Sequence, residues 1–424
     1  MKKFLDIIFL RSNNLSYISE NIKDLTKKTS ANKIFQAINS FTSESEIRYV
    51  GGCIRKIINK EKVDDIDLAT NLVPEQVCEA LKKENISYYK TGIEHGTITA
   101  EINGEKFEIT SLRQDVFTDG RHAKVKFSTN WKDDSLRRDF TINSIYSDGD
   151  GNLFDPHNGK KDLEDGLVNF IGDADQRIKE DYLRILRYLR FFINYSKNPH
   201  DTEIIKKLKM NIDGVSKLSK ERLLDELKKI IQLSTIERLS KDKISLELFS
   251  IIFPELKDIK IFSNLDISKK MLLQDEDFIF FLSLMIIDDT DNTDYFLYKF
   301  NLSKKDQKRI KVIHNFYKEK MQKKIFTENS MNTFFYYNGK QAVTDILKFK
   351  LIKSKKNLKI YEELIKLFET KSKPIMPINA DMLMTKYKVP EGKELGDKLK
   401  LIENEWVNNN FQISDTKLEN IINN

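Results

Sequence analysis

Gly51-Gly52-Cys53-Ile54-Arg55, followed by Asp64-Asp65-Ile66-Asp67-Leu68-Ala69-Thr70, is the stretch from which the fold and the chemistry can both be read. A glycine pair after the β-rich run Ile47-Arg48-Tyr49-Val50 marks a tight turn out of a strand. Asp65 and Asp67 are two apart, so on a strand their side chains leave the same face. Two carboxylates on one rigid face suit a pair of Mg²⁺ ions that clamp an attacking hydroxyl and a leaving pyrophosphate in line. The bare Gly51-Gly52 backbone can approach a triphosphate, and Arg55 can offset its charge. Each piece has an ordinary alternative, since paired aspartates are common on exposed loops and Gly-Gly is commonly just a turn. Their joint spacing favours the chemical reading.

Outward from this stretch, residues 47–171 mix short β-rich runs (ITAEI, KFEITSL, AKVKFST) with glycine turns, which reads as a sheet with flanking helices. Glu108, inside Phe107-Glu108-Ile109, can pair beside the aspartate strand as a third carboxylate; alone it would read as a solvent-facing strand residue. After Asp173 the β signal fades. Residues 179–193 read as one helix, with Tyr182, Ile185, Leu186, Leu189 and Ile193 on its apolar stripe. Residues 221–231 read as another, with Ser219 as a cap, and helices joined by short loops follow to the end. The fold class is α+β: an N-terminal head with a small mixed sheet, then an all-α remainder.

Asp181, Arg184 and Arg187 fall at i, i+3 and i+6, away from that stripe. One account is a solvated face with an Asp–Arg pair. The other is base recognition. A carboxylate accepts from an exocyclic amine and a guanidinium donates to a ring nitrogen or carbonyl. Cytosine and adenine present an amine on the Watson–Crick edge, whereas uracil and guanine present a carbonyl that Asp181 would repel. Arg187 and Arg190 can then hold phosphate or sugar.

The 424 residues carry a net charge of +7, with 40% hydrophobic and 32% charged residues. That is ample for several packed units and compatible with nucleic acid. Two cysteines, Cys53 and Cys78, without a CxxC, exclude a disulfide framework and a thiolate zinc site and fit a reducing, cytoplasmic setting. No apolar stretch reaches membrane-spanning length, and the run at residues 4–10, broken by Asp6, lacks a cleavage signature. His200-Asp201 resembles part of a phosphohydrolase site, but that site needs more histidines and only His314 follows, so a loop is the better reading.

Together GGCIR, DDIDLAT, RRDFTIN, DPHNGKKDL, EDYLRILRYLR and SKERLLDEL closely resemble the class II tRNA nucleotidyltransferase (CCA-adding enzyme) and bacterial poly(A) polymerase family. The resemblance implies a five-stranded head followed by neck, body and tail helices. It implies boundaries at 1–31 for an N-terminal helix or tail, 32–172 for the head, 173–233 for the neck and 234–424 for a tRNA-binding body and tail. Asp65 and Asp67 match metal ligands for two Mg²⁺, with Glu108 as the third catalytic carboxylate. Gly52, Arg55, Arg138, Asp181, Arg184, Arg187 and Arg190 match nucleotide-binding positions. The implied partners are tRNA, CTP and ATP, with no membrane and no stable protein partner.

Within that family, residues 91–99 and the absence of a more basic stretch after Gly96 favour the CCA-adding branch. Residues 114–126 resemble the flexible loop that the full CCA-adding enzymes use to switch from C to A. Lys56 stands where the motif commonly has Asp. The lysine runs at 304–324 and 348–359 are solvated faces on the plain reading, and contacts to tRNA phosphates on the family reading. The rivals are a partial CC- or A-adding enzyme, a poly(A) polymerase, a non-catalytic RNA-binding protein of the same fold, and a small-molecule adenylyltransferase.

Overall fold

The computed structural model describes residues 2–118, 123–288, 290–319, 326–354 and 358–423. They form two compact units, one of residues 1–229 and 242–252 and the other of residues 230–241 and 253–424.

The first unit opens with helices α1 (Lys2–Lys28) and α2 (Ala31–Asn39). Its strands are β1 (Ile47–Val50), β2 (Asp67–Thr70), β3 (Ser87–Gly92), β4 (Thr97–Ile102), β5 (Glu105–Ser111), β6 (Arg113–Thr118), β7 (Ala123–Phe127), β8 (Tyr146–Ser147) and β9 (Leu153–Phe154). Among them lie α3 (Gly52–Ile58), α4 (Pro74–Lys83) and α5 (Trp131–Leu136). Then come α6 (Gly159–Asp165), α7 (Ala174–Glu180), α8 (Leu183–Tyr195), α9 (Thr202–Asn211) and α10 (Lys220–Ile230).

The main sheet runs β3-β4-β5-β2-β1-β8-β9, and β6 and β7 pair separately. The five strands implied by the resemblance are thus extended at one edge by two-residue strands β8 and β9. The sheet is mixed: β2 lies parallel to β5 and antiparallel to β1. In β5, Phe107, Ile109 and Ser111 are buried while Glu108 is exposed, the alternation of a sheet with one covered face.

One helix expected at 179–193 is two. The backbone of Asp181 is extended (φ −155°, ψ 103°), ending α7 before α8 begins. The reason is local: the Asp181 carboxylate accepts from the Leu183 N–H at 3.1 Å, capping the second helix and competing with continuation of the first. His200 lies in the loop after α8, bonded to Asp242 at 3.0 Å and Ser245 at 3.1 Å and stacked on Phe192. Asp201 caps α9. His200-Asp201 is therefore structural, a loop that is tied to Asp242 and Ser245 and caps α9.

The second unit is helical: α11 (Leu233–Lys241), then, after α12 (Lys243–Ile252) of the first unit, α13 (Ile267–Leu273), α14 (Phe278–Ile286), α15 (Asn292–Phe300), α16 (Lys304–Glu319), α17 (Glu328–Lys353), α18 (Leu358–Thr370), α19 (Ala380–Tyr387), α20 (Lys393–Asn408) and α21 (Asp415–Asn423). Phe280, Leu282, Leu284 and Ile286 of α14 are fully buried, as expected of a helix apolar on all sides. In the 348–359 run, Lys348 is tied to Glu276 at 2.8 Å and Lys353 to Asp258 at 2.7 Å, while residues 355–357 lie outside the described residues. Among the described residues no helix is long and apolar enough to cross a membrane.

Candidate active site

The glycine pair and the aspartates meet at the mouth of the sheet. Gly51 has φ +66°, a backbone region that L side chains rarely adopt, and it turns β1 into α3. A Cβ added at Gly52 would sit 3.8 Å from the Asp67 carboxylate, so the glycine keeps the space beside that carboxylate open. Asp67 is the first residue of β2, and its register partner on the parallel neighbour β5 is Glu108. Lateral partners share a face, so both carboxylates project from the same side of the sheet. Asp65 lies on the exposed lead-in before the strand, not within it as expected. Burial, the Asp65 carboxylate and then Glu108 push the Asp67 carboxyl up to about 6, against the pull of Arg138 and Arg55. Among the described residues no three His, Cys, Asp or Glu side chains are arranged to hold a metal ion.

Lys56, one residue past Arg55, pairs with Asp64 beside the DxD. That pairing draws the Asp64 carboxyl down. The substitution relative to the usual motif thus ties α3 to the lead-in of β2.

Arg55 is only 7% exposed. Its guanidinium donates to the Asn143 side chain and lies 4.8 Å over Phe191 and 5.0 Å over Tyr195 of α8. Asn143 in turn donates to Asp139 at 2.8 Å, and Asp139 accepts from Arg187 at 2.6 Å. Burial acts to raise the Asp139 carboxyl, but the Arg187 charge and hydrogen bond hold it well below the usual carboxylate range. Arg138 donates to Asp134 at 3.1 Å and to the Tyr146 hydroxyl at 2.9 Å. Asp134 is fully buried, yet Arg138 and Arg137 hold its carboxyl down at about 2. Arg190 donates to Glu226 at 2.5 Å and lies 4.2 Å over Phe191.

Asp181 and Arg184 are not paired with each other. Asp181 accepts from Arg222 of α10 at 2.7 Å. Arg184 donates to Glu180 and to the Arg177 carbonyl, both at 2.7 Å. Arg177 also donates to the carbonyls of Arg137 and Arg138 at 2.6 Å, linking α7 to the turn that carries Arg138.

Asp139 and Asn143 lie within RRDFTIN, and Arg222 and Glu226 within SKERLLDEL, where the sequence alone assigns them no role. A signal existed for Glu226: Leu223, Glu226, Leu227 and Ile230 share one face of α10, and all four are buried. A carboxylate on an apolar stripe requires a buried cation.

The Poly A polymerase head domain family matches residues 47–169, and the family described as a probable RNA and SrmB-binding site of polymerase A matches residues 201–260. The chain is 43% identical over 235 residues to the human CCA tRNA nucleotidyltransferase 1, mitochondrial, covering 54% of this chain and 51% of that protein. It thus spans about half the length of the curated mammalian relatives it matches. It is 30% identical over 322 residues to the CCA-adding enzyme of Listeria monocytogenes, covering 74% of this chain and 78% of that one. Its fold is similar to that of the Bacillus stearothermophilus CCA-adding enzyme in complex with CTP, with a TM-score of 0.67 at 18% identity over 92% of this chain and 95% of that one. A Thermotoga maritima CCA-adding enzyme in complex with tRNA matches with a TM-score of 0.59 at 19% identity, covering 92% and 94% of the two chains. With its α+β head, its helical remainder and a 30%-identical relative aligned over most of its length, the chain belongs to the CCA-adding enzyme family.

Proposed function

We propose that this chain adds CCA to the 3′ end of tRNA from CTP and ATP, with no nucleic-acid template. The observation that carries the reading is the open backbone of Gly52 beside Asp67, with Asp65 and Glu108 close enough to raise the Asp67 carboxyl. Carboxylates crowded together next to bare backbone are a costly arrangement for stability and a useful one for a cation and a triphosphate. The relatives support the substrates, being named for CCA addition or solved with CTP, ATP or tRNA.

Nucleotidyltransferases of this family generally use a divalent metal. Asp65 and Asp67 fit it, because Mg²⁺ is commonly held by one or two carboxylates plus phosphates and waters, without an all-protein cage. Bound there as a pair, Mg²⁺ would stabilise charge on the α-phosphate and on the leaving pyrophosphate as the 3′-hydroxyl attacks. Glu108, opposite Asp67 on the adjoining strand, is the third catalytic carboxylate. Gly52 admits the triphosphate, and Arg138, held by Asp134 and Tyr146, faces its charge. Arg55, Arg187 and Arg190 are braced by Asn143, Asp139 and Glu226, which fixes the wall against which a nucleotide rests.

Asp181 and Arg184 read the base. Asp181 uses two acceptor positions, on Leu183 and Arg222, and a carboxylate offers about four, so capacity remains for an exocyclic amine. The head is assigned to residues 32–172, the neck to 173–233 and a tRNA-binding body and tail to 234–424. The β6–β7 ribbon carries the C-to-A switch, and its tip at residues 119–122 lies outside the described residues. Free cysteines fit a reducing compartment, and the cytoplasm is our reading of which one; the human relative is named as mitochondrial.

The test is to incubate purified protein with Mg²⁺ and a tRNA ending before CCA, supplying single or mixed nucleotides. CTP alone should add two residues and CTP with ATP three. UTP and GTP should add none. No addition under any mixture would overturn the reading.

A further inference from the structure

The second unit holds a cavity of about 720 Å³ between α16, α17 and the loop leading into α15. That is within the usual range for a bound small molecule. His314 of α16 lines it and is only 4% exposed, and neither ring nitrogen has a hydrogen-bond partner among the described residues. A buried polar side chain left unpartnered on both sides is costly and uncommon in folded proteins. Burial also lowers the imidazole's affinity for a proton, keeping the ring neutral with one donor and one acceptor to offer.

The other lining groups divide by whether they are already engaged. Asp258 is held by Lys353 at 2.7 Å, and Asp288 by Lys257 at 3.2 Å and Thr290 at 2.6 Å. The Tyr317 hydroxyl donates to the Ile346 carbonyl at 2.7 Å. Lys318 and Lys350, by contrast, line the cavity with no carboxylate partner among the described residues. Asp291 also lines the cavity, its carboxylate making no cap hydrogen bond to α15. The groups left to meet a ligand are therefore two ammonium groups, one neutral imidazole and one carboxylate, which can accept from a sugar hydroxyl or a base amine.

We propose that this cavity is a second nucleotide site, taking a nucleoside phosphate whose phosphate lies on Lys318 and Lys350 and whose sugar or base meets His314. The two lysines call for an anion, and the imidazole calls for a polar body that both donates and accepts. The choice of a nucleoside phosphate among phosphorylated ligands rests on the reading of this chain as an enzyme of nucleotides and tRNA. The ligand is either a free nucleotide or one nucleotide of a bound RNA, because both present the same groups.

The experiment follows the His314 imidazole resonances of the full-length protein by NMR, assigned with His314→Gln, without divalent metal. The probes are AMP, a tRNA lacking CCA, and inorganic phosphate. AMP should shift those resonances saturably, and Lys318→Gln with Lys350→Gln should weaken its binding about tenfold or more. A shift with the tRNA alone, weakened likewise by the double variant, supports the site with RNA as the source. No shift with AMP or tRNA overturns it, as does an equal response to inorganic phosphate or indifference to the double variant. CTP and ATP incorporation is measured on the same preparations. Its absence would sink the catalytic reading while an AMP shift left the cavity standing; normal incorporation with a silent His314 would do the reverse.

Discussion

The Asp181 carboxylate accepts a hydrogen bond from Arg222, 41 residues further along the chain, while the Arg184 guanidinium, three residues away, donates to Glu180; Arg184 reaches Asp181 only through its backbone N–H, which donates to the Asp181 carbonyl at 3.0 Å. The pair proposed to read the base is therefore held apart, each member fixed by its own partner. If Asp181 and Arg184 formed only a local salt bridge, truncating one would lower stability and nothing else. As a base reader, Asp181→Ala should lower CTP and ATP use and raise relative misincorporation of UTP and GTP. Loss of one charge-assisted hydrogen bond corresponds to roughly one to two powers of ten in that ratio. Competition assays with pairs of nucleotides measure it, and an unchanged ratio would return Asp181 to a capping role.

Asp65→Ala and Asp67→Ala should behave differently. Each should nearly abolish incorporation of CTP and ATP together while tRNA affinity, measured by filter binding, stays within about threefold of wild type. Near-normal turnover in either variant would remove the metal role from that residue.

The raised Asp67 carboxyl makes a stability prediction. Its folded-state value of about 6 exceeds the usual 3.8, so the folded state binds the proton more tightly than the unfolded chain. The ionised carboxylate thus destabilises the metal-free fold; the cost grows as pH rises from about 4 to 6 and is complete above that. Asp67→Asn should stabilise the metal-free protein at pH 7.5 by at most about 3 kcal/mol, and the gain should vanish by pH 4. Denaturant melts at the two pH values test this. Equal stability of the two proteins at pH 7.5 would mean that the Asp67 carboxylate is not desolvated in solution.

The β6–β7 ribbon should separate the two nucleotides. Deleting residues 119–123 should leave CC addition within about threefold of wild type and slow terminal A addition by at least about a hundredfold, a differential of roughly 3 kcal/mol in the barrier. Equal slowing of both steps, seen on sequencing gels, would make the ribbon structural.

Much of this was legible from local pattern. The alternation around Glu108, the Gly-Gly turn and the apolar stripe of α8 all depend on neighbours close in sequence, and each formed as read. The break at Asp181 was not legible, because the stripe begins only at Tyr182 and says nothing of whether Lys179 and Glu180 belong to the same helix; the carboxylate's bonds to Leu183 and to distant Arg222 decide the matter. The bracing of Arg55 by Asn143, and of Arg187 by Asp139, was hidden for the same reason. These partners lie 88 and 48 residues apart and meet only when α8 packs on the head. Asp65 was misplaced because the two-residue spacing says nothing of where a strand begins.

The most direct measurement of the central claim is the 3′-terminal sequence of products made from a tRNA lacking CCA, with all four nucleotides present in excess. The account predicts a single dominant product ending in CCA, with extension stopping after the terminal A. Long runs of A, tails of mixed sequence or unextended tRNA would contradict it.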